Sequence, residues 1–142
     1  MDKLTIESQL EIQILDLQDE AGQYLLNNDY GKVIDLMKKA WLLIPEPKLN
    51  YGESFWVSRL FCEGYLCMED FDNMRYWLEI YKSAALFRID SGERIFMEAR
   101  LEYSMRNFEL AKVLFKKADQ MSNGRLFKKK EYAEYFKFYK QK

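Results

Sequence analysis

Histidine is missing from this chain of 142 residues. The commonest general base and the commonest metal ligand are therefore absent. Cysteine is scarce, with only Cys62 and Cys67. They lie five positions apart on one expected helix, where a rise of about 1.5 Å per residue sets their Cα atoms roughly 7.5 Å or more apart on different faces. That is too far for a disulfide. Without histidine or a second cysteine pair no zinc set is legible either, and both thiols are expected to be reduced and in or near the core. Two prolines and six glycines punctuate the chain sparsely, which argues against an all-β fold and for long helices. There is no glycine-rich phosphate loop. The longest apolar run, residues 40–44, falls far short of the roughly 20 residues that cross a bilayer. The Met-Asp-Lys start lacks the apolar core of a signal peptide. Together these absences lead us to expect no enzyme activity, no cofactor, no metal, no membrane partner and a cytoplasmic location.

What is abundant is apolar surface. Hydrophobic residues make up 49% of the chain and aromatics 16%, enough for one well-filled domain over residues 1–142 with rings left for a surface. Their spacing is helical. In residues 93–121, Ala111, Phe115 and Ala118 fall at i, i+4 and i+7, so two small residues let a neighbouring helix approach while the ring fills the gap. Ile95, Ala99 and Glu102 keep a similar rhythm just upstream. One helical hairpin cannot bury both apolar faces and needs neighbours.

The hairpin pattern occurs three times. The joining turn recurs as Asn28-Asp29-Tyr30, Glu69-Asp70-Phe71 and Arg106-Asn107-Phe108. Each has a polar residue suited to cap a helix, then a ring suited to wedge between two helices. The rings stand 41 and 37 residues apart, within the range of two-helix repeats. Val33, Met37 and Ala40 follow the first ring, Met74, Leu78 and Tyr81 the second, Ala111, Phe115 and Ala118 the third. Before the rings come Leu17, Ala21 and Tyr24; Ser58, Cys62 and Tyr65; and Ile95, Ala99 and Glu102.

Expected helices run over residues 4–28, 30–43, 53–68 and 72–87, with Pro45 and Pro47 stopping the second. Asp90-Ser91-Gly92 breaks the chain, and Ser91 is the expected cap of the fifth helix. Gly124 suits the left-handed residue after the sixth. A seventh helix over residues 126–140 would cover the last hairpin, its lysines facing water.

These turns and small-residue crossings resemble the tetratricopeptide repeat over roughly residues 14–124. The third copy matches best. The second departs from the pattern, with Tyr81 where the family prefers alanine. The resemblance implies an all-α fold: a short right-handed solenoid of three hairpins (about 4–44, 52–87 and 92–122) plus a C-terminal capping helix (126–140), about seven helices in all. It also implies a concave wall, lined by the first helix of each pair, that holds a ligand protein. Carried over position by position, the wall is Gln18 and Gly22; Trp56, Arg59 and Glu63; and Phe96, Arg100 and Tyr103. Trp, Tyr and Arg are the types enriched at interface hot spots. Trp56 and Phe96 equally suit a core, whereas Arg59 and Arg100 are harder to bury without a partner.

Net charge is −1, yet it is split. Residues 1–30 carry one lysine against seven acids, a net of −6, and residues 125–142 carry seven bases against two acids, a net of +5. Such a split either steers a partner of mixed charge or marks solvated helix faces. A basic and aromatic patch of Lys128, Lys129, Lys130, Tyr132 and Tyr135 raises nucleic acid as a partner, but a pI of 5.7 disfavours it, because the usual footprint is a domain with pI above about 9. The expected function is a protein–protein interaction module. By analogy of class, a small helical-repeat protein of this kind looks like an immunity protein that binds and sterically neutralises a bacterial toxin. The alternative is a secretion or assembly chaperone holding a client segment in the groove.

Overall fold

The computed structural model describes residues 2–141. Among these residues the chain is all-α, with seven α-helices and no strand: α1 Ser8–Leu26, α2 Tyr30–Leu43, α3 Gly52–Cys67, α4 Phe71–Ser83, α5 Glu93–Ser104, α6 Phe108–Ser122 and α7 Ala133–Lys140. The structure forms two compact units that divide between Arg88 and Ile89. In the first unit α1 packs on α2, α2 on α3 and α3 on α4, and α1 also meets α3. In the second α5 packs on α6 and α6 on α7.

The three joining turns share one backbone solution. Asn28, Glu69 and Arg106 take left-handed φ values of 60°, 56° and 66°. The next residue's N–H then reaches back five positions: Asp29 to the Tyr24 carbonyl at 2.9 Å, Asp70 to Tyr65 at 2.9 Å, and Asn107 to Glu102 at 2.8 Å. Each left-handed residue's own N–H donates three positions back, to Leu25, Leu66 and Tyr103. This is the paired bonding that closes a helix and satisfies its orphan carbonyls. The following helix opens at once, with Asp29 and Asp70 accepting from the amides of Lys32 and Asn73 at 3.3 Å. The rings do not wedge as deeply as the sequence suggests: Tyr30 and Phe71 are half-buried and Phe108 is 44% exposed.

The repeated apolar sets form the cores. Val33, Met37 and Ala40, Met74, Leu78 and Tyr81, and Ala111, Phe115 and Ala118 are each at most 1% exposed, and so are Ala21, Cys62 and Ala99 from the preceding helices. At roughly 1.5–3 kcal/mol for each fully buried large side chain, this burial is the main force holding the hairpins shut. In α3, ten residues are buried and apolar or small groups surround the helix. Its Ser54 and Ser58 satisfy their hydroxyls inside the helix, donating to the carbonyls of Tyr51 at 2.7 Å and Ser54 at 2.6 Å. Gly64 lets α2 approach closely, since a Cβ there would stand 2.8 Å from Ile34 Cδ1.

Several expected boundaries move, each for a local reason. The first helix begins at Ser8 rather than residue 4, because the preceding segment runs extended along residues 50–51. The Leu4 amide donates to the Asn50 carbonyl at 2.8 Å, the Asn50 side chain donates to the Asp2 carbonyl at 3.1 Å, and Ile6 is buried. The second helix ends where Lys48 Nζ donates to the carbonyls of Trp41 and Ile44, a cationic cap on a helix C-terminus. α4 stops at Ser83, not residue 87, since Ala85 turns left-handed (φ 50°) and its N–H leaves the helix for the Leu49 carbonyl at 2.8 Å.

Ser91 is not the cap of α5. Gly92 is, at φ 100°, and a Cβ on it would meet the Ala118 carbonyl oxygen at 2.9 Å. The side chains of Asp90 and Glu93 hold the turn by accepting from the amides of Gly92 and Ser91, both at 2.9 Å. The left-handed turn after α6 involves Asn123 (φ 52°) as well as Gly124 (φ 80°). The expected helix over residues 126–140 is broken: two short 3-10 turns, Arg125–Lys128 and Lys130–Tyr132, precede α7. The two cysteines also part company, Cys62 buried and Cys67 exposed.

Candidate functional site

In the first unit the expected wall residues come from α1 and α3, which are in contact. Trp56, Arg59 and Glu63 fall at i, i+3 and i+7, one face of α3. Trp56 is 41% exposed and Arg59 half-buried, while Glu63 is buried at 7% exposure. On α1, Gln18 and Gly22 are half-buried. The Nε2 of Gln18 is enclosed without a hydrogen-bond partner, and the space beside Gly22 is open, with nothing within 4 Å of where a Cβ would stand.

The structure adds a residue to this face that spacing along the chain does not reveal. Arg88, from the segment after α4, lays its guanidinium 5.0 Å from the Trp56 ring centroid and 4.2 Å from that of Phe55. The Arg59 guanidinium stands 5.9 Å from the same Trp56 ring. A half-exposed indole thus carries two cations. Phe55, 4% exposed, supports it from below, meeting the Trp56 ring edge-on at 5.0 Å and the Tyr81 ring at 5.0 Å. Each cation on an indole face is worth about 0.5–1 kcal/mol at an exposed site and more once desolvated. These contacts restrict the orientations open to the Trp56 ring. Chemically the cluster offers a flat apolar ring and two planar guanidinium forks, the fit for carboxylates and apolar side chains on another protein.

In the second unit the expected wall is already covered. Phe96 is 3% exposed, its ring meeting those of Phe115 at 5.7 Å, Phe127 at 5.5 Å and Tyr132 at 4.7 Å. Arg100 is 7% exposed. Its guanidinium lies 5.3 Å from the Tyr132 centroid and 5.8 Å from that of Tyr135, with Nη1 3.6 Å from Met97 Sδ. Tyr103 is half-buried, packs edge-on against Phe138 at 4.8 Å, and donates its hydroxyl proton to Glu134 Oε1 at 2.9 Å. Burial, then the Glu134 carboxylate, push that hydroxyl above the ordinary tyrosine range. The chain's own residues 125–140 therefore take the place on α5 that the sequence reading leaves open to a partner.

The basic and aromatic patch separates in the same way. Lys128, Lys129 and Lys130 are exposed, but Tyr132 is 9% exposed and Tyr135 half-buried, their rings built into the core over Phe96. A cleft of about 430 Å³ beside residues 46–50 is lined by Trp41, Pro47, Leu49 and Ile80. Its Lys48 ammonium is engaged by the carbonyls at the end of α2. Among the described residues no group of three or more Cys, Asp or Glu side chains converges as a metal ion would need, and no helix is long and apolar enough to cross a membrane. Compared with family models, with curated proteins and with solved structures, the chain gives no significant match, so the reading of this face rests on its own geometry.

Proposed function

We propose that this chain is a non-catalytic protein-binding module that engages its partner through the Trp56–Arg59–Arg88 face of α3, as a tetratricopeptide-like helical repeat does through its first helices. The observation that carries the proposal is the half-exposed Trp56 ring with two guanidiniums 5.0 and 5.9 Å from its centroid. Tryptophan and arginine dominate interface hot spots, where a buried anchor of this kind supplies about 2 kcal/mol or more. The three identical turns support the repeat reading, and the absence of histidine and of a phosphate loop supports a role without chemistry. The partner is a protein presenting carboxylates around an apolar pocket. The role that fits a rigid, preformed anchor is steric: an immunity protein covering the working surface of a bacterial toxin from the cytoplasm.

The test begins with co-expression alongside the products of neighbouring reading frames and recovery of a stoichiometric complex. Trp56→Ala and Arg59→Glu are then expected to weaken that complex by about 30-fold or more, the equivalent of roughly 2 kcal/mol, while Arg59→Glu melts close to the parent and both variants keep their helices by circular dichroism. Calorimetry of the parent complex is expected to show the modest negative heat-capacity change of rigid docking. Full affinity in both variants would overturn the assignment of the face. A heat-capacity change as large as that of a folding segment would overturn the steric reading and indicate an unfolded client instead.

A further inference from the structure

We propose that the chain also associates with itself, head to tail, the outer face of α1 in one copy docking on the outer face of α7 in the next. This contact uses neither Trp56 nor Arg59, so it stands or falls separately from the reading above.

The outer face of α1 is apolar where it has no reason to be for its own fold. Ile12, Leu15 and Leu26 are 58%, 43% and 78% exposed. At 100° per residue they share one side of the helix with the exposed Asp16 and Asp19. The opposite side, with Ile14 and Ala21 fully buried, is the one that packs into the unit. A helix with apolar residues on both sides has a second surface to cover. The same chain supplies a helix of matching chemistry. On α7, Phe136 is 39% exposed and shares its side of the helix with the exposed Lys137 and Lys140. The Lys140 ammonium lies 5.7 Å from the Phe136 centroid, so ring and charge form one patch. Lys128, Lys129 and Lys130 just upstream are exposed and extend the positive field.

Charge decides the occupant and the symmetry. A second α1 on α1 would set Asp16 and Asp19 against their own copies, and a second α7 on α7 would set lysine against lysine. Like-charge juxtaposition costs several kcal/mol at an interface. Only α1 on α7 brings aliphatic side chains onto a ring and carboxylates onto ammoniums. The segments behind these faces carry nets of −6 and +5, which favours the encounter of unlike ends. Such a contact is heterologous, and one that does not close into a ring grows into an open chain.

The experiment is sedimentation velocity on the whole protein and two charge reversals. For the parent in low salt, mean mass is expected to rise continuously with concentration and to return to the monomer in about 1 M sodium chloride, where charges are screened beyond roughly 3 Å. Asp16→Lys/Asp19→Lys blocks one end and Lys137→Glu/Lys140→Glu the other, and each alone is expected to remain monomeric. An equimolar mixture of the two is expected to associate in alternation and to grow with concentration, because each variant then meets opposite charge on both faces of the other. All four substitutions in one chain are expected to restore growth. A parent that stays monomeric at all concentrations in low salt overturns the proposal. So does association indifferent to salt, self-association of either reversed variant, or a mixture that does not associate. All substituted positions are exposed, and circular dichroism verifies that each variant keeps its helices.

Discussion

Phe115→Ala is the substitution that best tests how the second unit is held together. The ring is fully buried and lies at the centre of a cluster, 5.7 Å from Phe96, 5.9 Å from Phe127, 5.2 Å from Tyr135 and 6.4 Å from Tyr103. Truncating a buried phenylalanine costs about 3–5 kcal/mol, partly as lost transfer and partly as the cavity left behind. Aromatic neighbours at these separations add about 0.5–1.5 kcal/mol per pair. The flanking Ala111 and Ala118 have no atoms with which to refill the space. The expected loss therefore sits at the upper end, about 4–5 kcal/mol. Phe108→Ala is the comparison: that ring is 44% exposed, meeting Tyr103 at 5.7 Å and Phe138 at 5.5 Å, and its loss is expected to be about 1–1.5 kcal/mol. Urea titration followed by far-ultraviolet circular dichroism measures both. Tryptophan emission reports the first unit by itself, since Trp41, Trp56 and Trp77 all precede the boundary. A loss below about 2 kcal/mol for Phe115→Ala, or equal losses for the two variants, would refute the assignment of the core.

Other outcomes follow from single residues. Glu69→Gly and Arg106→Gly are expected to stabilise by up to about 1 kcal/mol each, because both positions hold a left-handed φ that glycine adopts without penalty; denaturant midpoints that fall would count against this. Gly92→Ala is expected to cost about 1–3 kcal/mol through its φ of 100° and the 2.9 Å approach to the Ala118 carbonyl, seen as a lower melting temperature. Gly22→Ala, with open space around it, is expected to gain about 0.5–1 kcal/mol. The hydroxyls of Tyr65, Tyr103 and Tyr139 are all pushed upward, by burial first and then by neighbouring carboxylates. The fold thus holds these protons more tightly than the unfolded chain does. Stability is full below about pH 10, the ordinary tyrosine value, and is lost as pH rises through the raised ones. Tyr103→Phe is expected to flatten that alkaline decline in midpoints measured from about pH 9 to 11, and an unchanged slope would mean that Tyr103 does not take part.

The helices were legible because their signal is local. Val33, Met37 and Ala40 and their two counterparts repeat a spacing that only a helix turns to one side, and all nine side chains are buried. The turns were legible as polar residue followed by ring, but not their left-handed residue, since Asn, Glu and Arg occupy one backbone conformation with no common side chain. The misplaced boundaries share a cause. Residues 2–6, Ala85 and Gly92 obey partners far away in sequence: the Asn50 carbonyl, the Leu49 carbonyl and the backbone of α6. A tertiary hydrogen bond of about 1 kcal/mol outweighs the few tenths that separate helix propensities.

The candidate site divides along the same line, and the two arginines show why. From sequence, Arg59 and Arg100 carry the same argument, that a guanidinium is hard to bury without a partner. Arg59 stays near water, half-buried beside an exposed ring. Arg100 does not, and lies only 7% exposed under the C-terminal segment of its unit. Tyr132 and Tyr135 lie 5.3 and 5.8 Å from its guanidinium and Met97 Sδ at 3.6 Å from Nη1, contacts in which ring quadrupoles and a polarisable sulfur favour the charge. Those tyrosines arrive from beyond the broken helix, where no periodicity ties them to α5. Arg88 was missed for the mirror reason. It reaches Trp56 from a segment with no regular structure, and only the approach of Ala85 to Leu49 brings that segment back across the unit. The aromatic excess of this sequence thus takes two forms that composition cannot separate: rings packed around a buried guanidinium, and one half-exposed ring with two guanidiniums within 6 Å of its centroid.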